Sequence, residues 1–228
     1  PMNKTSTDFT VAFYNIENLF DIENDPLTND DDFLPTSAKR WTQKRYQNKL
    51  MKIGSAISQI GKNESDVSPV LVGLAEVENK QVLNDLLLSE HLQKEKYDFI
   101  HFNSMDEQGI DVALLYKPEV FNVENSETFS VYIQDENGLR DYTRDVLLVQ
   151  GKIFGEKLNV IVNHWSSRRE GVEETEHKRI AGAKRVINII ERLLKEDPKS
   201  KTIVMGDFND NPDSQSIQLM EKESQLYN

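Results

Sequence analysis

Carboxylates, carboxamides and one imidazole recur in this chain where apolar, strand-like runs end. Asn15 and Glu17 follow Val11-Ala12-Phe13-Tyr14, and Glu76 and Glu78 follow VLVGLA (70–75). Asn163 and His164 follow NVIV (159–162), Asp207 and Asn209 follow TIVMG (202–206), and Asp111 opens VALLY (112–116). Rigid strands fix such groups while the adjoining loops vary, so active-site groups collect at strand ends. Any one of them also reads as an ordinary turn residue; it is the five sites together that point to chemistry.

The sharpest is Gly206-Asp207-Phe208-Asn209-Asp210. One residue separates Asp207 from Asn209, so after a tight glycine turn both can reach one point. A carboxylate beside a carboxamide suits a hard cation together with a phosphate or an attacking water. A calcium loop is the rival reading, with Asp207, Asn209, Asn211 and Asp213 at its first, third, fifth and seventh positions. Against it, Pro212 stands where that loop needs glycine, Gln218 where it needs glutamate, and a strand precedes rather than a helix.

Glu76 ends a run that is otherwise apolar, and burying a carboxylate is costly unless it is paired or metal-bound. A metal-ligand role follows. Glu17 stands two residues after Asn15, the spacing of the Asp207/Asn209 pair, and could complete a metal site. Glu78 is either a further ligand or an exposed loop glutamate. His164 sits between a strand and a basic loop, Trp165-Ser166-Ser167-Arg168-Arg169. That setting is compatible with a general acid, a phosphate contact or a structural histidine. His91, His101 and His177 lack it and are expected at the surface. Arg144 precedes DVLLVQ; its fork suits a phosphate, or a surface ion pair with Asp141 or Asp145. Ser166 has no nucleophile elbow around it.

These groups need elements to hold them. Apolar positions Tyr46, Leu50, Ile53, Ile57 and Ile60 predict an amphipathic helix over 41–60, and Ile180, Ala183, Ile187, Ile190 and Leu194 predict another over 177–195. A short helix is expected over 80–88. Strands are expected at 9–15, 70–77, 97–102, 111–116, 120–131, 146–153, 158–163 and 201–205. The run at 70–77 is near-continuously apolar, as in a strand buried on both faces. Residues 24–32 read as a polar, acidic loop. Strands in a row flanked by strand–helix alternation indicate sheets packed together with helices outside.

Composition bounds the rest. The 228 residues carry 27 basic and 39 acidic side chains, a net charge of −12, with no cysteine. That excludes disulfide frameworks, thiolate zinc sites and cysteine nucleophiles, and argues against bulk electrostatic coating of nucleic acid. Residues 157–195 are net basic, with nine basic and five acidic side chains. No apolar run approaches a membrane span. Pro1-Met2-Asn3-Lys4 has no apolar core of a signal peptide, which leaves the compartment open between cytoplasm and a secreted or periplasmic location.

In this order the segments VAFYNIEN (11–18), LVGLAEVEN (71–79), GIDVALLYKP (109–118), TRDVLLVQGKI (143–153), NVIVNHWSSRRE (159–170), HKRIAGAKRVI (177–187) and KTIVMGDFNDNP (201–212) resemble the endonuclease/exonuclease/phosphatase superfamily with its DNase I-like fold. Their style is similar to bacterial extracellular-nuclease-like members. The resemblance implies one α/β domain over 1–228, a four-layer sandwich of two mixed sheets face to face with helices outside. It implies hydrolysis of a phosphoester with Mg²⁺, or with Mn²⁺ or Ca²⁺, the substrate being nucleic acid or a smaller phosphoester. Glu76, with Glu17, would then hold the metal. Asn15, His164, Asp207 and Asn209 would be catalytic: Asn15 orienting Glu76, Asp207 serving the attacking water, Asn209 holding the transition state, and His164 contacting the phosphate or protonating the leaving oxygen. Arg144, Arg168, Asn163 and Asp111 would lie at the phosphate.

Members continue past GDFN to a Ser-Asp-His-like block, whereas here nineteen residues follow Asn209 and none is histidine. The expectation is an N-terminal two-thirds or more of the domain, with open sheet edges that favour dimerisation. A non-catalytic binding module that keeps the fold and the metal site is the competing reading.

Overall fold

The computed structural model describes residues 8–228, so the Pro1–Lys4 start lies outside the described residues. The elements are β1 (Val11–Leu19), α1 (Gln43–Gln59), β2 (Leu71–Val77), α2 (Lys80–Leu87), β3 (Asp98–His101), β4 (Asp111–Tyr116), β5 (Phe121–Phe129), β6 (Ile133–Gln134), β7 (Arg140–Asp141), β8 (Val146–Ile153), β9 (Glu156–His164), α3 (Val172–Glu196), β10 (Lys201–Asp207) and α4 (Gln215–Ser224).

Two four-stranded sheets form, in the orders β1-β2-β4-β3 and β10-β9-β8-β5, with β6 and β7 pairing as a separate ribbon. Both sheets are mixed. β1 runs parallel to β2, and β10 parallel to β9, while β4 and β8 pair antiparallel with their neighbours. Three apolar cores separate four layers. Val72, Leu74 and Val77 pack with Leu50, Ile53 and Ile57 of α1 and with Val82, Leu83 and Leu86 of α2. Leu71, Ala75, Val112 and Leu114 face Leu147, Val149, Val160 and Val162 between the sheets. Leu148 and Ile161 face Ala183, Val186 and Ile190 of α3 and Ile217 and Met220 of α4. The expected four-layer α/β sandwich is therefore the fold.

The layering explains the patterning. β2 is covered on both faces, by helices on one and by the second sheet on the other, so its run has no polar alternation. Fully burying one such Val or Leu contributes roughly 1.5–3 kcal/mol. α3 begins at Val172, five residues before the expected start, with Glu173 and Glu174 in its first turn where they complement the helix dipole. β1 and β10 each end their sheet.

Candidate active site

The parallel pairs set the geometry. β1 and β2 bring Asn15 and Glu76 to one end of the first sheet, and β9 and β10 hold His164 directly opposite Asp207 at the same end of the second. A cleft of about 730 Å³ opens there, lined by Glu76, Arg144, His164, Arg168, Asp207 and Asn209 together with Asn18, Asn29, Phe33, Lys39 and Arg169.

Glu76 reaches the cleft through a break in strand geometry. Ala75 faces the inter-sheet core, so unbroken alternation would also put Val77 there. Instead Val77 joins Val72 and Leu74 on the helix side, because the pairing register shifts between Ala75 and Val77. Glu76 is the extra residue, with φ +69. A left-handed glutamate is uncommon, and bulges beside active sites re-aim side chains in this way. β1 carries a matching irregularity, with Glu17 at φ +53 and Asn18 at φ +59.

One amide ties the site together. Asn15 Nδ2 donates to Glu76 Oε1 at 3.1 Å and to Asp207 Oδ2 at 2.9 Å. Its Oδ1 accepts the Glu17 amide at 2.9 Å, which fixes the rotamer. Two carboxylates from different sheets thus converge on one donor, and both stay partly open to the cleft.

His164 is 5% exposed. Its Nε2 lies 3.2 Å from Arg144 Nη2, 3.8 Å from Glu76 Oε1 and 4.0 Å from Asp207 Oδ2. Arginine has no acceptor, so Nε2 must present its lone pair to Arg144. Burial first, then the Arg144 charge, push the imidazole down to about 3, against the opposing pull of Asp207. In this geometry His164 stands as a neutral group beside the carboxylates, its Nε2 accepting from Arg144. Arg144 itself is held by Trp165 O at 3.1 Å and Asp106 Oδ1 at 3.4 Å, not by Asp141 or Asp145.

The Asp207 segment differs in detail from the expected glycine turn. Gly206 lies within β10, where a Cβ would come 2.3 Å from Asn163 O, so the strands approach too closely for a side chain. The turn is made by Asn209, at φ +50. Asn209 Nδ2 donates to Trp165 O at 2.8 Å, and its amide to Asp207 Oδ1 at 3.1 Å. The calcium-loop residues do not share a point, since Asp213 is exposed outside the cleft.

Several expected site residues are turned to other partners. Asn163 is fully buried, donating to Met205 O and accepting from Trp165 Nε1. Asp111 is buried, with Oδ2 on His101 Nε2 and Oδ1 on Ser104, so its carboxylate is committed to the interior. His101 is accordingly a buried residue, not a surface one. Glu17 is turned by its left-handed backbone to a groove beside α1, and Asn18 lines the cleft in its place. Glu78 is neither an exposed glutamate nor a ligand. It is 8% exposed and accepts the Asp21 amide, and burial together with Asp21, Asp30 and Asp25 pushes it up to about 8. Arg168 borders the cleft but is locked onto Asn209 O and Asp210 Oδ1, each at 2.8 Å. Asp106 and Lys39 lie in irregular segments with no strand to mark them, and Asn18 reaches the cleft only through the irregularity in β1.

No group of three or more His, Asp or Glu that could close around a metal exists among the described residues. The donor set here is two carboxylates joined by an amide at an open cleft. That fits Mg²⁺, which keeps several waters and takes one or two carboxylates plus substrate oxygens; it does not fit a closed protein cage.

A sequence profile of the Endonuclease/Exonuclease/phosphatase family matches residues 10–226. The chain belongs to that family. Members of the Endonuclease/Exonuclease/phosphatase family are metal-dependent hydrolases of phosphoesters. No curated protein matches the chain in sequence. A mannosyl-6-phosphatase from Bacteroides thetaiotaomicron is similar in structure, at 19% identity and TM-score 0.60 over 95% of this chain and 71% of that one. The human Nocturnin catalytic domain, with bound sulfate, aligns at 17% identity and TM-score 0.56 over 77% of this chain and 63% of that one. TDP2 from Caenorhabditis elegans aligns at 18% identity and TM-score 0.52 over 75% of this chain. The chain spans 44% of that TDP2 chain. At these identities the likeness is one of fold. No helix among the described residues is long and apolar enough to cross a membrane.

Proposed function

We propose that this chain carries the metal-binding site of a phosphodiesterase or nuclease. The observation that carries the reading is the Asn15 amide shared by Glu76 and Asp207 across the two sheets. Glu76 would hold a Mg²⁺-type cation, which supplies Lewis-acid polarisation of a phosphoryl oxygen when bound. Asn15 fixes the carboxylates relative to each other before substrate arrives. Asp207 orients an attacking water and accepts its proton. Arg144 offers a guanidinium beside His164, and Asn209 and Arg169 border the space a phosphate would fill. Fixed donors aimed at developing charge are commonly the largest contribution to such chemistry.

The test is hydrolysis of plasmid DNA and of bis(p-nitrophenyl) phosphate with and without Mg²⁺, for the chain and for its Glu76→Gln variant. Metal-dependent cleavage lost in Glu76→Gln supports the reading. Mg²⁺-independent cleavage, or cleavage indifferent to Glu76→Gln, overturns it. Absence of any cleavage together with Mg²⁺ binding that is lost in Glu76→Gln favours the non-catalytic module.

A further inference from the structure

A second concavity, of about 470 Å³, lies between the end of β1 and α1. Tyr14, Asn15 and Glu17 form one wall; Arg45, Asn48, Lys49 and Lys52 form the other. The helix residues are spaced three, four and seven apart, so they share one face. Residues 39–52 contain six basic side chains and no acidic one, in a chain of net charge −12.

Arg45 and Lys49 are held in place without a salt bridge. Arg45 Nη1 reaches the carbonyls of Lys39 and Arg40, and Lys49 Nζ reaches the carbonyl of Glu17. Both pack on Trp41, at 5.3 and 5.7 Å from its ring centroid. Trp41 is itself anchored through Nε1 to Phe20 O at 2.9 Å. Among the described residues none of Arg45, Lys49 and Lys52 makes an ion pair, whereas Lys39, Lys117, Lys178 and Arg192 each pair with a carboxylate.

The groove lies beside the cleft. Asn15 lines the groove and binds both cleft carboxylates, while Lys39, at the start of the basic run, lines the cleft. We propose that Arg45, Lys49 and Lys52 hold a second, unreacted phosphate of the substrate while the cleft holds the scissile one. This deepens, and rests on, the reading of the cleft as a phosphoester site. From Arg45 to Lys52 the helix rises about 10 Å, room for an extended anionic chain and not only a point charge. The substrate class is therefore one with at least two phosphates, either a phosphodiester strand or a small bisphosphate.

Fluorescence anisotropy of a labelled single-stranded oligodeoxynucleotide, without divalent cation so that nothing is hydrolysed, tests this. Wild type, Lys52→Ala, Arg45→Ala/Lys52→Ala and the distant Lys152→Ala are titrated across salt. Lys52 is exposed, so its truncation leaves the fold intact. For single strands the salt slope changes by about 0.7 per phosphate contact. The expected result is roughly a tenfold affinity loss and a slope shallower by about one in the double variant, a smaller loss in Lys52→Ala, and none in Lys152→Ala. A nucleoside 3′,5′-bisphosphate and the 5′-monophosphate then compete with the oligonucleotide. A bisphosphate advantage lost in the variants assigns the second phosphate to a small molecule; oligonucleotide loss without it assigns the phosphate to a strand. Unchanged affinity and slope in both variants overturn the proposal. Because hydrolysis is not read, a negative Glu76→Gln result leaves this outcome separately interpretable.

Discussion

Arg144 Nη2 stands 3.2 Å from His164 Nε2, a guanidinium donating to an imidazole lone pair. The pair fixes His164 as neutral, with its proton on Nδ1. Burial and the Arg144 charge push it from 6.5 to about 3. Between those values the unfolded chain binds a proton that the native state refuses, so stability declines as pH falls below about 6.5. Nitrogen-15 NMR of labelled protein should show Nε2 of His164 unprotonated from pH 8 to pH 5. An imidazolium signal at pH 6 would sink the assignment.

Arg144 serves this site through geometry as much as charge. Its fork spans His164, Trp165 O and Asp106 Oδ1 at once. A lysine keeps the charge but cannot span them. Arg144→Lys is expected to lower kcat about 10²-fold, the usual cost of losing one fixed donor at a reacting centre, with little change in melting temperature. A variant with near wild-type kcat would remove Arg144 from the reacting centre.

Asp210 is a stability residue, one position from a cleft residue. It pairs with fully buried Arg179 at 3.0 Å and with Arg168 at 2.8 Å. Removing one partner of a buried pair leaves an uncompensated charge, so Asp210→Ala should cost about 3–5 kcal/mol in chemical denaturation. Burial pushes this carboxyl up, but Ser216, Arg168 and Arg179 outweigh it and hold it below 3.8. A depressed carboxyl stabilises fully above its unfolded value and loses that contribution as pH drops through its folded one. Acid unfolding below about pH 4 should therefore be blunted in Asp210→Ala relative to wild type; parallel acid curves would contradict the linkage.

What the sequence revealed follows from how each residue is held. Asn15, Glu76, His164 and Asp207 follow apolar strand runs, so those runs pointed to them. Asn163 and Asp111 occupy equivalent positions in the text but turn inward to Trp165 and His101. Direction past a strand end depends on local φ, and residue type does not encode it. α4 was missed because only a few apolar residues, Ile217 and Met220 among them, mark its buried side. The all-basic run at 39–52 was present in the text; it gained meaning once α1 placed Arg45, Lys49 and Lys52 on one wall beside the cleft.

Glu76 combines two costs that its function would justify. Its backbone sits at φ +69, where non-glycine residues other than asparagine, aspartate and histidine are uncommon, and such strain costs roughly 1–3 kcal/mol. Its carboxylate also stands near Asp207, the two sharing the Asn15 amide. Glu76→Asn removes a negative charge and places a residue that tolerates the left-handed region. The variant should unfold about 1 kcal/mol later than wild type in denaturant without metal, while Mg²⁺ no longer raises its melting temperature. Wild type should show the opposite pairing: lower intrinsic stability, and a melting temperature that climbs with Mg²⁺ by mass action. A Glu76→Asn protein that is less stable than wild type, or that still responds to Mg²⁺, would show that the bulge serves packing and not the metal.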